Sequence, residues 1–163
     1  MNSPCDMKQL NLPEAKLRIR QKNNHLEVFD PLRKRFVALT EEEWVRQNLI
    51  SYLAVYKQVP LYMMASERGI EVNSMPKRFD LLVFATSGNP VMIVECKAPH
   101  IAVDNEVFYQ AARYNFTLQV NYLLITNGLE HHCLYVNYQT GETTFLNDIP
   151  DYDGMNREWN PEL

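Results

Sequence analysis

From residue 16 onward, apolar and charged positions alternate in short runs. KLRIRQ (16–21), HLEVFDP (25–31) and KRFVAL (34–39) set Leu, Ile, Val and Phe against Lys, Arg and Glu, with Asn23-Asn24 and Asp30-Pro31 between them. Such runs bounded by turn residues mark half-buried strands, so two or three antiparallel strands are predicted here. The period then changes. Val45, Leu49, Tyr52, Leu53 and Tyr56 recur at helical spacing behind Thr40 and Glu43, which have the S/T-x-x-E spacing of a capping box. This predicts a helix over 41–57 that stops before Pro60.

A short strand fits 62–66 or 69–72, and two strong strands fit 78–85 and 91–97, joined by Thr86-Ser87-Gly88-Asn89. A second helix fits 105–118, with Asp104 as N-cap and Val107, Phe108, Ala111, Ala112 and Leu118 on its inner side. A strand over 122–126 ends at Asn127-Gly128, and HCLYVNY and ETTFLN form a hairpin about Thr140-Gly141. Strands, helix, strands, helix, strands is an α/β chain of the α+β type. The expected architecture is one central mixed sheet flanked by helices, with extra N-terminal antiparallel strands. Within a single domain over 1–163, residues 1–15 read as a loose lead-in, 16–39 as the N-terminal strands, 40–128 as the core, and 129–163 as closing hairpin and tail.

Composition narrows the setting more than the chemistry. The 163 residues are 46% hydrophobic and 22% charged, enough for one real core. The net charge is −4, so a polyanionic partner would require a local basic patch or a bound cation. The cluster Arg33-Lys34-Arg35 is expected to be a solvated hairpin tip. Cys5, Cys96 and Cys133 form no C-x-x-C pair, which fits a reducing, cytoplasmic setting. No apolar run approaches the roughly 18 residues needed to cross a bilayer, so a soluble, unprocessed chain without membrane contact is expected.

Two strands carry charges that a core does not need. In VMIVECKAP, residues 91–99, a buried-strand pattern runs directly into Glu95 and Lys97; in RFDLLVFA, residues 78–85, Asp80 interrupts an equally apolar run. With a loop over 86–89, Ala85 faces Pro90, Leu82 faces Ile93 and Asp80 faces Glu95. Facing side chains in an antiparallel pair lie about 4.5–5.5 Å apart, so the two carboxylates repel unless a cation neutralises them. Alternation puts Lys97 on the face of Glu95 and Cys96 on the other. The carboxylates of Asp80 and Glu95 and the backbone carbonyl of Cys96 are hard oxygen donors that suit Mg²⁺ or Mn²⁺. A metal held there supplies the chemistry of phosphodiester hydrolysis, with Lys97 positioning or deprotonating the water or stabilising the phosphorane. An E-x-K alone is more often an ordinary ion pair at a strand end.

The helices add candidates. Glu42 lies three residues before Val45 and seven before Leu49, which makes it the choice for a third carboxylate and metal ligand. Glu43, explained by its capping box with Thr40, is second choice. Gln110 and Tyr114 stand at i and i+4 on one stripe of the second helix, where Gln110 could orient Lys97 or a water and Tyr114 could contact a phosphate.

Taken together, these segments resemble the PD-(D/E)xK nuclease superfamily, and more closely the N-terminal endonuclease domain of type I restriction enzyme R subunits. EEEWVRQNLISYL, KRFDLLVF, VMIVECKAP, QAARY with its Q-x-x-x-Y spacing, and YLLITNG match in order over about residues 40–128. The resemblance implies a restriction-endonuclease-like core and Mg²⁺-dependent hydrolysis of DNA. It places the catalytic set at Asp80, Glu95, Lys97, Gln110, Tyr114 and Glu42, with Lys77 and Arg78 as candidate nucleic-acid contacts. Phe79 stands where the superfamily's name has Pro. Type I R subunits continue into an ATP-driven motor, but no G-x-x-x-x-G-K-[ST] phosphate loop occurs among the five glycines, so no ATP site is expected in this chain. DNA is the expected partner, with a homodimer or a partner subunit left open.

Other groups carry less. His131, His132 and Cys133 are consecutive on a strand, point to alternate faces and are poorly placed to chelate. Cys96 has no His to activate it and reads as a buried inert thiol. Trp44 and Trp159 read as packing anchors. Two further readings stand beside the nuclease: a non-catalytic nucleic-acid- or protein-binding module that keeps the fold, and a structural domain whose charges form one ion-pair network.

Overall fold

The structure, a computed structural model, describes residues 7–66, 69–72, 75–104, 106, 108 and 119–157, with 69–72 and 75–78 described at the level of the backbone. Strands β1 (Ile19–Lys22), β2 (His25–Asp30) and β3 (Arg35–Ala38) form the expected antiparallel sheet. Asn23 and Asn24 turn its first hairpin at φ of 47° and 64°. Both angles are left-handed, a conformation Asn tolerates and a two-residue hairpin requires.

The second turn corrects the expectation of a solvated basic tip. Lys34 and Arg35 are exposed, but Arg33 points inward. Its guanidinium pairs with fully buried Asp30 and donates to Glu43 Oε1 at 2.6 Å. Asp30 also accepts the N–H groups of Leu32 (2.7 Å) and Arg33 (3.0 Å) and the hydroxyl of Ser66 (3.3 Å). Burial pushes the Asp30 carboxyl up, but the hydrogen bonds from Arg33 and Leu32 and the Arg33 charge outweigh it. Its pKa therefore lies below the ordinary value.

Helix α1 (Glu41–Val55) starts where predicted, with Thr40 Oγ1 accepting the Glu43 N–H at 3.1 Å. After it come β4 (Met64–Ser66), a two-stranded ribbon of β5 (Gly69–Val72) and β6 (Met75–Arg78), then β7 (Leu81–Phe84), β8 (Pro90–Cys96), β9 (Tyr122–Thr126), β10 (His131–Val136) and β11 (Thr143–Leu146). The six-stranded mixed sheet has the order β11-β10-β9-β8-β7-β4, with β8 and β9 parallel and the other pairs antiparallel. Both sites considered for a short strand after α1 are used. The single strand expected over 78–85 is instead two, in different sheets, and Phe79-Asp80 lie at the break between them.

The β7–β8 register also needs one correction. Leu82 faces Ile93 as counted, but a bulge at Val83/Phe84 sets Phe84, not Ala85, opposite Pro90. Ala85 N–H instead donates to Asn89 O at 2.8 Å, closing the turn one step further out.

The sheet is buried on both faces, which explains the continuous apolar runs in β7, β8 and β9. Val45, Leu49, Ile50 and Leu53 of α1 pack with Leu81, Val83, Met92, Val94, Cys96 and Leu124. Phe79, Leu82, Ile93, Leu123, Ile125 and Leu134 form the core of the other face, with Phe108 against it. The helix predicted over 105–118 lies almost wholly outside the described residues. At its start Asp104 Oδ1 accepts the Glu106 N–H (3.0 Å) and the Phe108 N–H donates to Asp104 O (3.2 Å), the bonds of an N-cap.

The end segments are docked. Asn11 N–H donates to Gly128 O at 2.7 Å, Trp44 Nε1 donates to Lys8 O at 3.0 Å, and Leu10 and Leu12 pack on the α1 core, so this stretch is not a loose lead-in. Gly128 has φ of +83°, a left-handed conformation that favours glycine, and a Cβ there would also press on the flexible end of Leu10, with Cδ2 at 2.7 Å. A short helix near the C-terminal end of the described residues, α2 (Tyr152–Asn156), buries Tyr152 and Met155, and the Tyr152 hydroxyl donates to Phe84 O at 3.1 Å. Trp159 lies outside the described residues.

Asp30 depends on Arg33. Arg33→Ala should lower stability at pH 7 by about 3–5 kcal/mol, because it leaves the buried Asp30 carboxylate without its counter-ion. A carboxyl whose folded pKa is depressed stabilises above its unfolded value of 3.8 and loses that contribution as pH falls through the lower folded value. The difference between wild type and Arg33→Ala should therefore narrow below pH 3.8, measured by urea unfolding across pH 3–7.

Candidate active site

The charged residues of β7 and β8 meet where β7 begins. Pairing stops at Leu81↔Val94, so Asp80 lies one step beyond the ladder on the line facing Glu95. Its carboxylate replaces a backbone acceptor: Oδ2 takes the Cys96 N–H at 2.7 Å. On the other edge of β8, Lys97 N–H donates to Thr126 O of β9 at 2.8 Å. The residues on either side of Cys96 are thereby fixed, and Lys97 Nζ donates to Glu95 Oε1 at 2.7 Å. Cys96 itself is buried in the α1 core, with its thiol pushed far above its ordinary pKa, first by burial and then by Asp80. It is an inert spacer whose side chain packs while its neighbours carry charge.

Helix α1 closes the site through a residue that sequence reasoning passed over. Arg46 is almost fully buried; its Nη1 donates to Glu43 Oε2 (2.6 Å), and its Nη2 to Glu42 Oε1 (3.0 Å) and Asp80 Oδ1 (3.0 Å). The signal was present: an arginine between Val45 and Leu49 on the apolar face, three and four residues after two glutamates, cannot reach water easily and must find carboxylates.

The first-turn glutamates divide differently from the expectation. Glu43 is the buried one, with 7% of its side chain exposed against 45% for Glu42. It accepts from Arg33, Arg46 and Gln47, and is thus a structural anion. Glu42 lies nearer the surface but faces the site electrostatically. Burial raises its carboxyl pKa, Asp80 raises it further, and Arg46 and Lys97 pull against both.

Glu95 is likewise held above its ordinary value, first by burial and next by Asp80, despite the hydrogen bond from Lys97. Three carboxylates therefore crowd one end of the sheet with more negative charge than Arg46 and Lys97 relieve. Burial lowers the Lys97 pKa, but Glu95, Asp80 and Glu42 outweigh it, so Lys97 stays an ammonium. Among the described residues no three His, Cys, Asp or Glu side chains converge into a ready-made metal cage. Gln110 and Tyr114 lie outside the described residues, as do the side chains of Lys77 and Arg78. His131 and His132 turn apart: His131 lies 2.8 Å from Thr126 Oγ1, and His132 stacks edge-on to Phe108.

The family described as type I restriction enzyme R protein N terminus matches residues 41–150, well over half of the chain, and the chain belongs to it. Among solved structures, a fragment described as an HsdR subunit of a type I restriction enzyme from Vibrio vulnificus YJ016 is similar at 21% identity and a TM-score of 0.47. The match covers 72% of this chain and 24% of that one, so this chain spans about a quarter of its length. No curated protein matches the chain. Among the described residues no helix is long and apolar enough to cross a membrane.

A carboxyl with a raised folded pKa opposes folding above its unfolded value, because there the folded state must hold the charge. In metal-free buffer at pH 7, Glu95→Gln should therefore raise the urea midpoint. That gain should vanish below the ordinary carboxyl value of 4.5, where wild type is protonated in both states. A lower midpoint at pH 7 would contradict the crowding.

Proposed function

We propose that this chain is a divalent-cation-dependent nuclease that hydrolyses DNA phosphodiester bonds within a restriction system. The observation that carries the reading is the Asp80–Cys96 hydrogen bond, which ties a carboxylate to the strand between Glu95 and Lys97. Mg²⁺ or Mn²⁺ fits the donor set. Mg²⁺ takes hard oxygens, keeps several waters, and is commonly held by one or two carboxylates plus substrate phosphate. Asp80, Glu95 and the Cys96 carbonyl would hold it, with Glu42 alongside. Burial and the Asp80 charge keep Glu42 and Glu95 above their ordinary values, and a cation would offset both.

When bound, the metal supplies an acidified water and charge neutralisation at phosphate. The chain's own residues do the rest. Lys97, protonated and linked to Glu95, donates to a phosphate oxygen or holds the attacking water in line, and so serves as an electrostatic stabiliser. Arg46 is a positioning residue that orients Asp80 from α1. Gln110 is assigned to orient Lys97 or the water, and Tyr114 to contact a phosphate, on the family pattern. Lys77 and Arg78 are assigned to the DNA backbone. Other subunits of a restriction complex are the expected protein partners, in the cytoplasm.

The Arg46–Asp80 bond also favours a second reading, in which arginine neutralises Asp80 permanently and the chain only binds. Supercoiled plasmid with Mn²⁺ separates the two. The nuclease reading expects nicking by wild type and a loss of at least about 100-fold in Lys97→Ala and Asp80→Ala. It also expects weaker Mn²⁺ binding by Asp80→Ala in calorimetry. Equal cleavage by wild type and Lys97→Ala would overturn it, and plasmid binding without metal-dependent nicking would favour the second reading.

A further inference from the structure

We infer that the outer face of the β1–β3 sheet is a docking surface for the sugar–phosphate backbone of DNA, separate from the cleavage site. This sheet precedes the span that the family match covers. Arg18, Arg20 and Lys22 occupy alternate positions along one edge strand and are exposed, while Ile19 is partly buried; Lys16, also exposed, precedes the strand in a turn closed by Leu17 N–H to Ala15 O at 3.0 Å. The pairing Phe29 N–H to Arg18 O, at 2.9 Å, carries the strand pattern back beyond Ile19. Three cations therefore stand in a row at about 6.8 Å intervals, two steps of a strand each. A DNA strand offers a regular line of phosphates to such a regular row of cations.

The row is built to present its charge. The Arg18 guanidinium lies 4.5 Å from the ring centre of Phe29, and that of Arg20 lies 3.8 Å from Phe36. Phe29 and Phe36 face each other across β2 and β3, their rings 5.4 Å apart and edge to face. Stacked guanidinium planes are ordered in advance and lose less freedom when they bind a phosphate. His25 lies opposite Lys22, and the acid on this face is Glu27, which pairs with Arg20 at 2.6 Å. On a chain of net charge −4, this is a local basic patch of the kind a polyanion requires. The patch is also anchored to the site, since Asp30 on the opposite side of β2 pairs with Arg33, which binds Glu43, which binds Arg46, which binds Asp80.

DNA as the polyanion rests on the function proposed above, but the test reads binding and not cleavage. Charges on an edge strand also keep sheets from pairing with one another, and the test separates that role. Fluorescence anisotropy of a labelled 20-bp duplex is measured in EDTA from 50 to 200 mM KCl. The variants are Arg18→Glu/Lys22→Glu and the charge-matched control Lys8→Glu/Arg157→Glu away from the sheet. The sheet variant should bind at least tenfold more weakly than wild type, with the slope of log Kd against log salt reduced by about two, at about 0.9 per phosphate contact. The control should bind as wild type. No measurable binding by wild type at 50 mM KCl, an unchanged sheet variant, or an equal loss in the control would each overturn the proposal. A cleavage-dead protein that still shows the sheet effect would sink the nuclease reading and leave this surface standing.

Discussion

The site depends on one buried arginine. Arg46 has to satisfy its charge inside the protein, and it does so by bridging Glu42 and Glu43 of its own helix to Asp80 of the sheet. Removing two or more ionised groups from water is costly unless each finds partners of opposite charge and good geometry. Arg46 therefore sets where the first turn of α1 sits relative to the break between β6 and β7. The apolar stripe of α1, with Val45, Leu49 and Leu53, holds the helix on the sheet without specifying its position along it. The ion pairs supply that specification.

From this bridge two branches run in opposite directions. One passes through Glu43 to Arg33 and Asp30, which binds the N-terminal sheet to the start of the helix. The other passes through Asp80 to the Cys96 N–H and so to Glu95 and Lys97. Burial first, and the Asp80 charge next, hold Glu42 beside the bridge and Glu95 on the second branch above their ordinary values. A fold seeking stability alone would replace one of them by a neutral residue. Retained electrostatic strain at the open end of a rigid sheet is a common property of functional sites, and it is here that a cation would contribute most.

Much of the fold was legible because its signals are local. The capping box at Thr40, the helical recurrence of Val45, Leu49 and Leu53, the apolar runs of β8 and β9, and the Asn23-Asn24 turn each act within a few residues. The pairing of Leu82 with Ile93 could be counted from a short loop. What escaped was non-local. The lead-in looked loose because its partners, Gly128 and Trp44, are far away in sequence. Arg33 looked solvated because its partner Glu43 lies in another element, and Glu43 looked explained because half of its capping box was enough to account for it. The break at Phe79-Asp80 was hidden by an apolar run that continues through it while the backbone changes sheets.

The sequence by itself determined most of the described elements and their order, the shared face of Glu95 and Lys97, and the inertness of Cys96 between them. These follow from the periods of strand and helix and from the cost of burying charge, which act wherever the chain goes. Only the tertiary structure decided that Asp80 would leave the ladder to accept the Cys96 N–H, that Arg46 would gather Glu42, Glu43 and Asp80, and that Glu43 rather than Glu42 would be buried. Those outcomes depend on which charges meet when separate elements pack, and the low dielectric of the packed interior makes each meeting decisive.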